Sequence, residues 1–353
     1  MNPVALKGVT AYDRTFSRNS LMPAVVGVVI MALVTWYALL HFDVANVFVF
    51  GSILLTASAA IALNVLMGTV GQVSLGTAAF LAIGAFGSVI FGKAGVPFPV
   101  DIILDGIVVS ILGLIVGLPA VRLRGLELLL ATLAAVYIVQ FAVEQYQTDA
   151  SGSAGFLVSP ISSSTNVTIW VLFGVLALFI LATRALVRFR LGRAMRMVRD
   201  HDLAAATLGI RVTHTKLYTF MITAGATGII GGLTAHFTQS VVSDTFSLLL
   251  SVQFVEMIIV GGLDLIAGAV IGAALIGALP VWIPSIVSSF TSQETASIDG
   301  PLVASAIIGL AIIVFVMFGS EGLAGLGSRL LDRLIRPLRR RAERAEVRHL
   351  EET

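Results

Sequence analysis

Ten stretches of this chain, each close to the length of one membrane crossing, constrain its fold more than any other feature. They lie at about residues 21–40, 46–67, 75–92, 100–119, 126–145, 168–187, 216–237, 247–263, 266–288 and 301–319. A helix rises about 1.5 Å per residue, so about 20 apolar residues cross a hydrocarbon core, whereas barrel strands are about half that length. Only 12% of the residues are charged, and the mean hydropathy is +0.99. Soluble domains carry about 25% charged residues, so this chain cannot present an ordinary aqueous surface. The expected fold class is all-α: a polytopic integral membrane protein with about ten transmembrane helices.

The basic residues give an orientation, because cytoplasmic segments collect Lys and Arg. With the N-terminus in the cytoplasm and ten alternating spans, the inside segments are 1–20, the joint at 68–75, 120–125, 188–215, the joint at 261–265 and 320–353. Twenty-one of the 22 lysines and arginines fall in or at the edge of those segments, Lys93 being the exception. The outside loops hold Asp43, Glu144, Asp149, Asp244, Glu294 and Asp299. Both termini are therefore expected in the cytoplasm, with the multi-pass body in the membrane. This divides the chain into an N-terminal tail at 1–20, a transmembrane body at 21–319 with a long cytoplasmic loop at 188–215, and a basic C-terminal tail at 320–353. The first apolar run lacks a small-residue cleavage pattern and reads as a retained span. Residues 329–353 read as a membrane-surface or solvated helix broken at Pro337.

Several chemistries are set aside. There is no cysteine, and the five histidines show no metal-ligand spacing. Basic patches interleaved with aromatics are missing, so no nucleic acid is expected, and the basic pI matches arginines beside an anionic leaflet. No nucleophile–base set or carboxylate pair at useful spacing can be assembled, so no enzyme is expected. The glycine-rich stretch GTVGQVSLGT at 68–77 has no lysine after its last glycine and is not a phosphate loop. No cofactor is expected on this chain, and nucleotide energy, if used, must come from another one.

GTVGQVSLGT remains unusual, because it interrupts a run of 47 apolar-rich residues from Asn46 to Gly92 with uncharged polar groups. Two readings stay open: a packed hairpin turn, or a kinked or re-entrant segment lining a path. Non-helical backbone at membrane depth is tolerated only where protein or water covers it. In the second reading Gly71, Gln72, Ser74, Gly76 and Thr77 are path candidates, with Gln72, Ser74 and Thr77 as hydrogen-bonding groups. Glu256 and Gln253, mid-span and three residues apart, join them, since intramembrane ionisable groups are costly and default to functional candidates; an interhelical hydrogen bond is the plainer reading. Asp105 is expected to reach the headgroups, Asn64 and Gln140 to bond between helices, and Glu127 to pair with Arg122 and Arg124. His236 is expected to be an interfacial hydrogen bonder. GATGIIGGLTA at 225–235 and GAVIGAALIGA at 268–278 are expected to be close-packing faces.

The loop RFRLGRAMRMVRDHDLAAATLGIRVTHTK, 188–216, is long for a link between two spans. Leu203, Ala206 or Thr207, and Ile210 share a face of a short helix. Asp200 and Asp202 favour its N-terminus, and Gly209 can end it in the left-handed region. The helix is either an interfacial one without a partner or one that docks into a cytoplasmic partner, Ala204 and Ala205 permitting close approach.

Here the sequence resembles a known family. DLAAATLG, 202–209, is similar to the cytoplasmic coupling motif of ATP-binding-cassette import permeases. Ala204, Ala205 and Gly209 fall in register, while Leu203 takes the acidic position and Asp202 lies one residue early. GQVSLGTAAFLAIGAF at 71–86, GLPAVRLRGLELLLATLA at 117–134, residues 191–220 and TFSLLLSVQFVEMIIVGGL at 245–263 follow the order of branched-chain amino-acid permeases, over roughly 45–320. The chain resembles the second permease subunit of the leucine/isoleucine/valine type. That resemblance implies a heteromeric importer: a second permease subunit, two cytoplasmic ATP-binding-cassette ATPases that bind the ATP, and an extracytoplasmic binding protein delivering a small-molecule substrate. It also implies that Asp202, Leu203, Ala204, Ala205 and Gly209 couple to the ATPases. Thr77 stands where the family commonly has histidine, and SGSAG at 151–155 replaces its usual Thr-Gly-Gly-rich segment. Relatives of this architecture move urea, amides, sugars or nucleosides, so those cargoes stay open. So does a self-contained secondary transporter using Glu256.

Overall fold

A computed structural model describes residues 22–41, 43–120, 123, 125–288, 306 and 309–310. The helices are α1 Met22–His41, α2 Val44–Asn64, α3 Thr77–Lys93, α4 Val100–Ala120, α5 Leu126–Ser151, α6 Thr165–Arg188, α7 Arg190–Asp200, α8 Asp202–Thr207, α9 Val212–Thr238, α10 Leu248–Gly261 and α11 Ile266–Ser288. Two two-residue strands, β1 Phe156–Leu157 and β2 Ser240–Val241, pair antiparallel. The expected tails at 1–20 and 320–353 lie outside the described residues, as does almost all of the expected span at 301–319.

The crossings are less uniform than the hydropathy suggests. Five described helices are long and apolar enough to span a membrane unaided: Ala45–Thr69, Val100–Pro119, Leu126–Ser151, Thr165–Arg188 and Val212–Thr238. Gly27–His41, Thr77–Lys93, Leu248–Gly261 and Ile266–Pro280 are shorter apolar helices. With 14 residues, α10 rises only about 21 Å, well under a hydrocarbon core of about 30 Å. Hydropathy averages over a window, so it merges a half-length helix with the apolar turn that continues it. The expected single helix in the long loop is two, because His201 takes an extended conformation (φ −159°) between α7 and α8.

The core forms around α9, which packs against α3 and α4 and reaches α2. Its sequence GATGIIGGLTA is what lets those helices close in. At Gly228 an added Cβ would collide with Val109 of α4, and at Gly231 with the Leu81 carbonyl of α3. The second small-residue run behaves alike: α11 meets α10 at Gly268 and Gly272, with backbone rather than side chains in the way of any Cβ. Both runs are packing faces. Larger apolar side chains point outwards, Ile103, Ile107, Ile111 and Ile115 along α4 and Leu130, Ile138 and Phe141 along α5. Such spacing gives a lipid-type surface.

Candidate functional site

α2 does not end as an ordinary helix. Residues Val65–Thr69 widen into a π turn, and the backbone of residues 70–76 is irregular until α3 starts at Thr77. The change of direction is made at Gly71, whose φ of +77° is open to glycine without strain. Gln72 N–H closes the widened turn on the Leu66 carbonyl at 3.1 Å. Further along, Leu75 N–H donates to Thr132 Oγ1 of α5 at 3.0 Å, Gly76 N–H to Ser74 Oγ at 3.1 Å, and Ala78 N–H to Ser251 Oγ of α10 at 2.9 Å. Side-chain hydroxyls thus satisfy backbone donors that a helix would have satisfied itself. Ser251 precedes the end of α10 at Gly261 by ten residues, about 15 Å of helix. The segment therefore runs into the body of the protein, and is not a turn at its edge.

The other end of the break is fastened by ionic and amide groups. Arg199, in the last turn of α7, lies 3.0 Å from Asp264 Oδ2 and also donates to the Gly68 carbonyl. Asp264 Oδ1 accepts from Thr69 Oγ1 at 3.0 Å, while Asp264 N–H donates to Asn64 Oδ1 and Asn64 Nδ2 donates to the Leu265 carbonyl, each at 2.9 Å. At Gly68 there is no room for a side chain, since a Cβ would strike the Asp264 backbone and Asn64. The long loop, the end of α2 and the turn between α10 and α11 thus meet at one end of the molecule.

Beyond Arg199 the loop presents α8. Asp202 Oδ2 accepts from Lys216 Nζ at 2.7 Å, fixing the first turn of α8 to α9. Gly209, φ +81°, ends it: Ile210 N–H bonds the Ala205 carbonyl and Gly209 N–H the Ala206 carbonyl, both at 3.0 Å. That pair of bonds is a Schellman cap. Ala205 is buried, so it packs inwards and does not offer the close approach expected of it; Ala204, Ala206 and Thr207 face out. Leu203 is 79% exposed and Leu208 67% exposed, so the tip carries an apolar patch on an otherwise charged loop. Ile210 is half-buried.

At the opposite end, Lys93 lies 4.2 Å from the Phe156 ring centroid and 5.6 Å from that of Tyr146. A cation–π contact holds the one lysine that departs from the basic pattern. Two expectations are corrected here. Asp105 does not reach the headgroups; it is buried, accepts from Ser88 Oγ at 2.6 Å and lies against Gly87 and Gly232. Those glycines leave a notch that only a small polar group fills. His236 is a hydrogen bonder as expected, but one buried within the protein, with Nδ1 2.7 Å from the Ser159 carbonyl and Nε2 on Asp101. A carbonyl only accepts, so Nδ1 is the donor to Ser159. α4 supplies both aspartates one turn apart, and α9 closes over them.

Of the other path candidates, Gln72, Ser74, Gly76 and Thr77 are buried in this chain, whereas Gly71 is exposed. Gln253 and Glu256 are half-exposed on one side of α10, a face that the described residues leave partly open. Gln140 is half-buried and makes no side-chain hydrogen bond to a described residue, while Arg122 and Arg124, proposed partners of Glu127, lie outside the described residues. Sequence reasoning missed Asp264 and Arg199. An acid at the split of the nearly continuous apolar run 247–288 was the available signal, since it calls for a cation.

Apolar helices long enough to cross a membrane, one of them broken and tied to a polar loop, define a multi-pass membrane protein. Residues 43–317 match the family described as the branched-chain amino acid transport system / permease component, and the chain belongs to that family. It is 28% identical over 247 residues to the high-affinity branched-chain amino acid transport system permease protein LivM of Salmonella typhimurium, covering 61% of this chain and 58% of that one. The Escherichia coli K12 protein of the same name is 26% identical over the same shares, 61% and 58%. A probable branched-chain amino acid transport permease protein LivH of Methanocaldococcus jannaschii is 31% identical over 175 residues, 49% of this chain and 50% of that one. The chain thus spans less than two thirds of the length of these relatives. It is a LivM-like permease by these matches. No solved structure matches it.

Proposed function

We propose that this chain is one membrane subunit of an ATP-binding-cassette importer that moves branched-chain amino acids inward. The observation that carries the proposal is the tip of α8, where Leu203 and Leu208 stand exposed on a short helix anchored at both ends. An exposed apolar tip between charged flanks fits a groove in a cytoplasmic partner, here one of two ATPases. Asp202 anchors that coupling element, Leu203 and Ala204 contact the ATPase, Ala205 packs it onto its own chain and Gly209 turns the chain back. In this reading the loop end is cytoplasmic, both termini lie on that side, and about ten spans cross a prokaryotic inner membrane. The half-exposed face of Gln253 and Glu256 meets a second permease subunit along the solute path, with the 71–77 segment behind it. An extracytoplasmic binding protein delivers the solute at the end marked by Lys93. The chain itself performs no chemistry and holds no cofactor.

The test is reconstitution with the partner permease and ATPases in liposomes, following radiolabelled leucine. ATP-driven uptake that unlabelled isoleucine and valine compete for supports the reading. Competition by urea, a sugar or a nucleoside instead would keep the machine and change the cargo. Uptake by this chain alone, driven by an ion gradient and lost in Glu256→Gln, would replace the importer with a secondary transporter.

A further inference from the structure

We infer that Arg199 and Asp264 are positioning residues that make the two breaks in the membrane helices follow the cytoplasmic loop. The inference rests on the importer reading and adds the link between its ATPase contact and its path. Arg199 stands three residues before the start of α8 at Asp202, too few to decouple the two. Its guanidinium reaches the Gly68 carbonyl at the end of α2 and the Asp264 carboxylate between α10 and α11. Its stem lies along Gly71, where an added Cβ would stand 3.0 Å from Arg199 Cγ. One side chain thus touches both sides of the first break and the second break as well. A planar guanidinium can hold two acceptors in a fixed relation, which an ammonium cannot.

Asp264 adds an independent observation. Its φ is +65°, in the left-handed region where glycine is the undemanding choice and where Gly262 beside it, φ +121°, already sits. A non-glycine residue persists there when its surroundings over-determine it. Three links do so: Thr69 and Arg199 hold the carboxylate, and Asn64 holds the N–H. The Asp264 side chain is 14% exposed and that of Arg199 26%, so the pair is sheltered yet within reach of water, as a contact that shifts with the loop requires. When the ATPases move α8, the motion passes through Arg199 to the start of the re-entrant segment and to the Glu256-bearing helix together.

The test uses the reconstituted complex, with leucine uptake and ATP hydrolysis measured in the same vesicles. Arg199→Ala removes the cation. Asp264→Asn keeps a residue that tolerates positive φ and can still accept from Thr69, so it removes the charge without removing the fold. Each is expected to lower the ratio of leucine imported to ATP hydrolysed by about tenfold, the factor one charge-assisted hydrogen bond represents. The double variant is expected to be no worse than either single one, because both break the same link. A ratio unchanged in both single variants overturns the inference. So does joint loss of hydrolysis and uptake in Asp264→Asn through failed assembly, which would make the pair a scaffold. Wild-type complex without ATP-driven uptake would overturn the importer reading itself, and this inference with it.

Discussion

The two ends of the molecule solve the same problem with different means. Each must tie together helices distant in sequence, and each does so with an acid paired to a base. At the Lys93 end the pair is Asp101 with His236, both side chains no more than 3% exposed, flanked by a glycine-lined notch for Asp105 and a short β ladder. At the loop end the pair is Arg199 with Asp264, several-fold more exposed, and next to it α8 leaves an apolar tip open. The first arrangement closes on itself around side chains buried among the described residues. The second is held mostly by side chains around non-helical backbone, so it can be displaced without unfolding the bundle. The buried pair lies at one end and the partly exposed pair at the other.

Removing one member of the closed pair should have the largest effect. His236→Ala strands a buried carboxyl, expected to cost about 3–5 kcal/mol, read as a fall in the unfolding midpoint in detergent. Asp101→Asn, which can still donate to Nε2, should cost much less; equal losses would mean that packing, not the pair, holds this end. At the loop end Gly68→Ala forces α2 away from the Asp264 turn, at about 1–3 kcal/mol. The same unfolding assay checks it. Gly209→Ala meets no atom within 4 Å, so only its left-handed backbone is strained, by about 1 kcal/mol. Asp202→Ala loses a partly solvated ion pair, worth about 0.5–1 kcal/mol. The smallest stability effect, within about 0.5 kcal/mol, is expected for Leu203→Ser with Leu208→Ser, yet this variant should lose the ATPases on affinity purification. Retained ATPases would erase the contrast between the ends.

Much of the helical layout was legible in the residues. α1, α4 and α11 start and stop within two residues of the hydropathy boundaries, and the split at GGLD, 261–264, falls between α10 and α11. The glycine runs announced close packing, and Gly209 announced its cap. Asn64 was recognisable as a bonder between helices, though not its partners 200 and 201 residues away. The extension of α5 to Ser151 was not visible, because Glu144, Gln145 and Gln147 look like loop residues when judged by hydropathy. Nor was the burial of Asp105, since nothing local reveals that Gly87 and Gly232 on two other helices leave room for it. For GTVGQVSLGT no local sign showed that the hydroxyls of Thr132 and Ser251, on two other helices, hold its backbone donors.

The sequence by itself determined that the chain lives in a membrane as a helical bundle, because desolvating a backbone in lipid leaves few alternatives. It also determined the family, through motifs spread along the chain. Tertiary structure alone decided which polar groups meet. Arg199 and Asp264 are separated by 65 residues, as the numbering in their ion pair shows, and His236 and Asp101 by 135. Composition records that such groups must be satisfied, but the partner is chosen by how glycine-faced helices dock, a property of the packed bundle and of no single segment.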